Sequence, residues 1–161
     1  AEVRRSVPNA HLTIAGDGPD KELLQRDIER LNLVGHVTLA GRVSDDELLR
    51  LYQSSWLLVS ASHSEGWGMT ITEAAACGTP CVVTANHGHC AAAIDSATGL
   101  IVEDDSQLAN EIVRVLTDSP LRDTLIHGAL SHAAKFQWDR TAAILLQTLV
   151  DSLPHRRRRQ K

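Results

Sequence analysis

Short apolar runs alternate with amphipathic segments along the first hundred residues. Five runs have the length and composition of β-strands, and they lie at residues 11–15, 37–40, 56–59, 81–84 and 99–102. The run at 56–59 is apolar on both faces, which is typical of a strand in a parallel sheet that helices cover. Strands that alternate with helices predict an α/β fold with a doubly wound parallel sheet.

The segments between these runs carry helix signals. In residues 20–33, four apolar residues recur at helical spacing among charges, which predicts a helix with one buried face. Ser44 is followed three residues later by Glu47, and this pair is the pattern of a capping box at a helix start. We expect that helix to continue to about residue 54.

The chain becomes wholly helical after Asp104. A stripe of apolar residues predicts one helix there, Pro120 begins a second, and residues 138–153 form a third. Residues 1–7 are interpreted as the end of a further helix. No internal repeat interrupts this order, so we expect one domain over residues 1–153.

The stretch from Ser62 to Pro80 carries the strongest candidate chemistry. Gly66 and Gly68 break the chain after an apolar run, and an alanine-rich helix follows. The free N–H groups at such a helix start favour phosphate. Glu65 and Glu73 are acceptors suited to paired hydroxyls, so the pattern fits a nucleotide sugar. Spacing alone leaves another interpretation open, in which Glu73 only stabilises the helix N-terminus and Glu65 is a solvated loop residue.

This stretch resembles the signature of family 4 of the glycosyltransferases, which are retaining enzymes of the GT-B fold. Glu65 and Glu73 are separated by seven residues, and the second is followed by Ala74-Ala75-Ala76-Cys77-Gly78-Thr79-Pro80. Further similar motifs occur in the family order at residues 14–19, 37–43, 98–102 and 137–138. The resemblance implies a Rossmann-like domain, the C-terminal half of a GT-B enzyme that binds the nucleotide-sugar donor. The acceptor would belong to an N-terminal domain that this sequence does not contain.

The resemblance also implies roles for individual residues. Glu65, the catalytic candidate, would contact the hydroxyls of the transferred sugar as a positioning and electrostatic residue, and Glu73 would contact the ribose hydroxyls. Backbone N–H groups would line the sugar and diphosphate at Gly66, Trp67, Gly68, Met69 and Thr70, and the base would lie along Gly41, Arg42 and Val43.

The implied reaction transfers a hexose from a UDP- or GDP-sugar to an acceptor hydroxyl, with retention and without a metal or other cofactor. Stabilising the charge of the leaving diphosphate would be the main catalytic task. Residues 1–161 alone are expected to be inactive, because they cannot align two substrates. The alternatives are a non-catalytic nucleotide-sugar-binding or scaffold domain and a dinucleotide-binding domain, although no Gly-x-Gly-x-x-Gly follows the first strand.

One segment departs from the family pattern. Paired glycines and a later Glu are usual there, whereas this chain has Gly88-His89 and no Glu in residues 86–92. Because of this departure, the way this loop recognises the donor can differ from the family pattern. His89 can be interpreted as a phosphate or base contact, or as a surface-loop histidine without such a role, and we favour the second interpretation. A short helical turn is predicted over residues 90–94.

Composition and charge bear on the binding partners and the cellular compartment of the chain. The chain has 161 residues and a net charge of −4, and it ends with four arginines at 156–159 and Lys161. Without those five cations the remaining charge is −9, which argues against nucleic-acid binding. Residues 154–161 are expected to be a disordered tail, or to contact anionic lipid headgroups. Three cysteines without a CxxC pair favour a reducing, cytoplasmic compartment and no metal site.

The resemblance finally predicts a gap in the sheet. The first strand of the resembled domain lies between the strands that correspond here to residues 12–15 and 56–60, and this sequence contains no counterpart. A sheet without a central strand exposes two rows of unpaired backbone groups. We therefore expect a truncated domain in which these two strands are not paired, and marginal stability for the chain alone.

Overall fold

A computed structural model describes residues 1–153, so the predicted basic tail lies outside the described residues. Five strands alternate with helices, and three helices end the described part. In chain order the elements are α1 (Glu2–Ser6), β1 (Leu12–Ala15), α2 (Lys21–Arg30), β2 (Val37–Gly41), α3 (Asp45–Ser54), β3 (Leu58–Ser60), α4 (Met69–Ala76), β4 (Cys81–Thr84), α5 (His87–Ala92), β5 (Gly99–Val102), α6 (Asp105–Thr117), α7 (Ser119–Ala133) and α8 (Trp138–Ser152). This order confirms the predicted α/β class.

The strands form two separate parallel sheets. One contains β1 and β2, with Leu12 opposite Val37, and the other has the order β3-β4-β5, with Cys81 between Leu58 and Gly99. β1 and β3 are not paired in the described part of the chain. The predicted gap between these two strands is therefore confirmed.

Two apolar clusters cover the three-stranded sheet on opposite faces. Because side chains alternate along a strand, β4 directs Cys81 and Val83 to one face and Val82 to the other. The first cluster adds residues of α4 and α5, and the second adds β5 with α6 and α7; the buried members are Ile71, Cys81, Val83, Ala92 and Ala93 on one face and Val82, Leu100, Val115 and Leu125 on the other. Helices on both faces of a parallel sheet confirm the doubly wound prediction.

Several element boundaries differ from the predictions, and two of these differences have an identifiable cause. β3 begins at Leu58 and excludes Trp56, which is exposed and has the Arg122 guanidinium 4.3 Å from its ring centroid. A surface cation–π contact accommodates this ring outside the sheet. α5 occupies 87–92 instead of 90–94, because the Asn86 side chain accepts the His89 N–H and caps the helix three residues earlier than predicted.

The helix predictions otherwise agree with the structure. The capping box at α3 is present, since Ser44 Oγ accepts the Glu47 N–H and Glu47 accepts the Ser44 N–H. α8 forms as predicted but has no buried residue. Within residues 1–153, no helix combines the length and apolar character needed to cross a bilayer.

Candidate functional site

The segment that precedes α4 lies at the carboxyl end of β3, as the sequence predicts. Gly68 is the N-cap of α4 and has a left-handed conformation with φ of 82°. A Cβ there would lie 3.0 Å from Ile71 Cδ1, so the turn requires glycine for both conformation and space. The N–H groups of Met69 and Thr70 have no hydrogen-bond partner among residues 1–153. This turn therefore presents two free donors at a helix N-terminus.

Glu73 lies in the second turn of α4 and is held from the side by α3. Tyr52 Oη donates to Glu73 Oε2 at 2.9 Å, and the backbone carbonyl of Tyr52 accepts from Thr79 Oγ1 at 2.6 Å. Burial, followed by the hydrogen bond to Glu73 and the negative charge of Glu73, raises the pKa of Tyr52 above its usual range. Tyr52 therefore stays a neutral donor. It fixes Glu73 Oε2, while Glu73 Oε1 has no hydrogen-bond partner among residues 1–153.

Tyr52 was not among the predicted site residues. Its position on α3 fits the apolar face of an amphipathic helix, and the ring is buried as that pattern predicts. Only its hydroxyl belongs to the site. A buried tyrosine needs a partner for its O–H, and this requirement is the one sequence signal that points toward such a contact.

Glu65 lies in the loop of residues 61–68, and its side chain is exposed. The loop is fastened to the end of β4, because the carbonyl of Ser62 accepts from Thr84 Oγ1 and from Asn86 Nδ2, both at 2.8 Å. The structure therefore places Glu65 and Glu73 on the two segments that flank the glycine turn at Gly68.

His89 is not the surface-loop histidine that we favoured, and that interpretation is wrong. The residue is 1% exposed, and its ring contacts Ser60, Thr84 and Asn86. The three hydrogen-bonding groups come from β3, the end of β4 and the cap of α5. Burial of this ring depends on contacts between segments that are distant in sequence, so the local loop pattern did not show it.

Trp67 and Met69 form the outer surface of the same turn, and both are partly or largely exposed. The Trp67 ring makes an edge contact with Phe136, at 5.5 Å between centroids, and Phe136 makes another with His132. Phe136 lies between α7 and α8. The structure thus places the glycine turn next to the connection between α7 and α8, a contact that the sequence analysis does not predict.

The predicted base contact, Gly41 with Arg42 and Val43, lies at the end of β2 in the other sheet. Gly41 accepts a hydrogen bond from the Gly16 N–H at 2.7 Å, while Arg42 is exposed. An open cavity of about 260 Å³ lies at this edge, lined by Ile14, Gly16, Asp17, Gly18, Pro19, Asp20, Lys21, Leu24, Leu39 and Gly41. No hydrogen bond within residues 1–153 joins 41–43 to the segment 65–73, and we refer to these two segments as candidate half-sites.

The hydrogen-bonding groups at these candidate half-sites suit the hydroxyls of a sugar and the oxygens of a phosphate better than they suit a metal ion. Within the described residues, no group of three His, Cys, Asp or Glu side chains could hold a metal ion. The free N–H groups at Met69 and Thr70 can bind anionic oxygens, and the carboxylates of Glu65 and Glu73 can accept from hydroxyls. That no cofactor is required stays a prediction.

Comparisons with known proteins show what the chain is similar to. The family model described as "Glycosyl transferases group 1" matches residues 1–132. D-inositol 3-phosphate glycosyltransferase of Stackebrandtia nassauensis is 33% identical over 145 residues, which cover 88% of this chain and 33% of that protein. The chain thus spans about a third of the length of this curated relative.

Solved structures show the same architecture. Sucrose-phosphate synthase from Thermosynechococcus elongatus superposes with a TM-score of 0.80 at 28% identity, over 92% of this chain and 40% of that one. Anabaena HepE, crystallised with UDP, superposes with a TM-score of 0.79 at 22% identity, over 94% of this chain and 44% of that one. The second likeness concerns the fold alone.

Proposed function

The chain belongs to the family of group 1 glycosyl transferases, and from this membership we propose that it forms the donor-binding part of a retaining hexosyltransferase. The donor is a UDP- or GDP-sugar, and the acceptor is a hydroxyl group. One observation carries the proposal: two carboxylates, Glu65 and Glu73, flank a glycine turn whose N–H groups at Met69 and Thr70 have no hydrogen-bond partner among the described residues. In this arrangement the two carboxylates can accept hydrogen bonds from hydroxyls, and the N–H groups between them can donate to a phosphate.

In the proposed complex, each part of the donor meets a different group of residues. The diphosphate binds at the N-terminus of α4, with Gly66, Trp67 and Gly68 beside it. Glu73 accepts from the ribose hydroxyls through the carboxylate that Tyr52 orients, and Glu65 accepts from the hydroxyls of the sugar. The base extends toward the second half-site at residues 41–43. HepE was crystallised in complex with UDP, which supports a uridine nucleotide as the first candidate.

The chemistry follows from the charges that change during transfer. Cleavage of the bond between the anomeric carbon and the diphosphate oxygen leaves negative charge on the diphosphate and positive character on the sugar ring. The acceptor oxygen forms the new bond to the anomeric carbon, and its proton passes to the departing phosphate. The partial positive charge at the start of α4 and the N–H groups of Met69 and Thr70 stabilise the leaving group. The Glu65 carboxylate stabilises the oxocarbenium-like sugar and positions its hydroxyls, and no metal is needed for either task.

Isothermal titration calorimetry on the full-length protein tests these roles. Glu73→Ala should weaken a nucleoside diphosphate and its sugar derivative alike, by about 1–3 kcal/mol for lost charged hydrogen bonds. Glu65→Ala should weaken mainly the ligand that carries the sugar. Glu111→Ala is the matched control, because Glu111 is on α6 and pairs only with Arg114 at the surface. Equal losses for the free diphosphate in Glu65→Ala and Glu73→Ala would refute this division of roles.

A non-catalytic donor-binding or scaffold domain is the second candidate. The observation in its favour is that Glu65, Glu73 and the N–H groups of Met69 and Thr70 explain donor binding whether or not transfer follows. Both candidate functions predict donor binding, but only the enzyme should turn the donor over. Release of nucleoside diphosphate in the presence of an acceptor, by the full-length protein and not by its Glu65→Ala variant, would favour the enzyme.

We also propose a reducing, cytoplasmic location, in which the basic tail at 156–159 can reach a membrane surface. Cys77, Cys81 and Cys90 are free thiols in the structure, as expected for that compartment. Binding of the full-length protein to vesicles that contain phosphatidylserine, compared with a variant without residues 154–161, tests the membrane contact. Equal binding of both proteins would exclude a role for the tail.

A further inference from the structure

The segment that departs from the family pattern lies directly beneath the loop that carries Glu65. This loop leaves the sheet at Ser60 and ends at the helix start at Gly68. Asn86, Gly88 and His89 contact it at three separate points. The proposed function gives no role to this segment.

The ring of His89 fixes the two ends of the loop. His89 Nδ1 lies 2.7 Å from the carbonyl oxygen of Thr84, which can only accept, so Nδ1 carries the proton. Nε2 therefore accepts from Ser60 Oγ at 3.2 Å. A Cβ built at Gly68 would lie 3.4 Å from His89 Cδ2, so the ring packs under the helix start. Both ring nitrogens are used within the protein, which leaves neither for a ligand.

Asn86 holds the middle of the loop. Its Oδ1 accepts the His89 N–H at 2.9 Å, and its Nδ2 donates to the carbonyl of Ser62 at 2.8 Å. Nδ2 also lies 2.8 Å from His89 Nδ1, but Nδ1 is protonated and cannot accept, so the Ser62 carbonyl is the acceptor. Thr84 Oγ1 donates to the same carbonyl. Two donors thus fix one peptide group three residues before Glu65.

Gly88 supports Glu65 itself. A Cβ at Gly88 would lie 2.5 Å from the Glu65 carbonyl oxygen and 2.7 Å from Glu65 Cβ, distances at which the loop backbone must move. The Glu65 backbone therefore lies directly on the Cα of Gly88. Any larger residue at this position displaces the candidate catalytic carboxylate.

We propose that Asn86, Gly88 and His89 form a clamp that sets the position of Glu65 against the transferred sugar, so that His89 is a positioning residue and not a donor ligand. The inference rests on the proposed function. Its physical basis is preorganisation. Most of the loop is exposed, and besides the edge contact of Trp67 with Phe136 it is held by the hydrogen bonds to Ser60 and Ser62 and by the contact at Gly88. A loop held in this way binds the sugar without an ordering cost at each turnover.

Two glycine substitutions test the clamp against a general packing role. Gly88→Ala introduces a methyl group against Glu65, while Gly128→Ala introduces one 1.9 Å from the Ala97 carbonyl oxygen, away from the loop. Affinities of the full-length protein for UDP and UDP-glucose, or GDP and GDP-mannose, are measured by calorimetry, with thermal unfolding as the stability readout. We define the sugar-dependent gain as the ratio of the affinity for the nucleotide sugar to the affinity for the free nucleoside diphosphate. We expect Gly88→Ala to reduce this gain about tenfold or more and to change the affinity for the free diphosphate less than about twofold. Gly128→Ala should lower the unfolding midpoint and leave the gain unchanged.

Asn86→Ser provides an independent variant that keeps the fold. Serine is as good an N-cap as asparagine, so α5 stays capped, but its side chain is too short to donate to Ser62. The sugar-dependent gain should again fall, with an unchanged unfolding midpoint. If Gly88→Ala and Asn86→Ser keep the wild-type gain, or if Gly128→Ala reproduces their loss, the clamp is wrong. A wild-type protein with no gain from the sugar would instead contradict the proposed function.

Discussion

Removal of the Tyr52 hydroxyl isolates the contact that holds Glu73. Tyr52→Phe deletes the 2.9 Å hydrogen bond to Glu73 Oε2 and keeps the ring, which is buried against the core. A hydrogen bond to a charged group contributes about 1.5–3 kcal/mol. Because Glu73 is exposed, water replaces part of the interaction, and we expect the loss in ligand binding to be about 1 kcal/mol, or roughly fivefold in Kd.

A double-mutant cycle measures this contribution. The affinity for UDP or GDP is determined by calorimetry for the full-length wild type, Tyr52→Phe, Glu73→Ala and the double variant. If Tyr52 acts by orienting Glu73, Tyr52→Phe should weaken binding about fivefold in the wild-type background and should have no effect once Glu73 is alanine. Ser54→Ala, which removes a hydrogen bond to the Leu51 carbonyl on the same helix, is the control and should bind normally.

The same cycle can refute the reasoning. An equal loss from Tyr52→Phe with and without the Glu73 carboxylate would show that the hydroxyl acts on the ligand or on the fold by another route. Thermal unfolding of each variant separates these two routes, because a defect in folding lowers the unfolding midpoint and a direct ligand contact does not.

Three further predictions concern stability and turnover. Burial raises the pKa of Cys81 from 9.0 to about 12, so the folded state keeps a proton that the unfolded state loses. Stability should therefore fall as pH rises from about 9 to 12. Cys81→Ala should reduce this slope in pH-dependent denaturation, and Tyr52 and Cys77, whose pKa values are also raised, should account for the rest. Ser44→Ala should cost about 1 kcal/mol by removing the cap of α3, measured by thermal unfolding, and an unchanged midpoint would contradict it. Residues 1–161 alone should show no sugar transfer above a Glu65→Ala control, because they cannot align two substrates. They should have only marginal stability, because one edge each of β1 and β3 is unpaired in the described part of the chain; turnover or cooperative unfolding with ordinary domain stability would overturn this prediction.

The fold could be predicted because its signals are local. The run Cys81–Thr84 is apolar at nearly every position, and a strand buried on both faces needs that composition. The capping box of Ser44 and Glu47 fixed a helix start within a few residues. Trp56 was assigned to a strand by its apolar character, whereas Arg122, distant in sequence, holds its ring at the surface.

The candidate site was only partly accessible from the sequence. Glu65 and Glu73 stand out because a glycine turn separates them, and that turn opens a helix. Tyr52 and His89 did not stand out, because their roles arise from hydrogen bonds across elements, over 21 residues from Tyr52 to Glu73 and 29 from Ser60 to His89. Local patterns report burial and turns, and they contain no information on which distant side chain meets a buried polar atom.

Crystal structures of the full-length protein with UDP or GDP and with the matching nucleotide sugar would show where the donor binds. We expect diphosphate oxygens about 3 Å from the backbone nitrogens of Met69 and Thr70, ribose hydroxyls on Glu73 and sugar hydroxyls on Glu65. A nucleotide bound away from the start of α4, or a ribose that makes no contact with Glu73, would contradict this expectation.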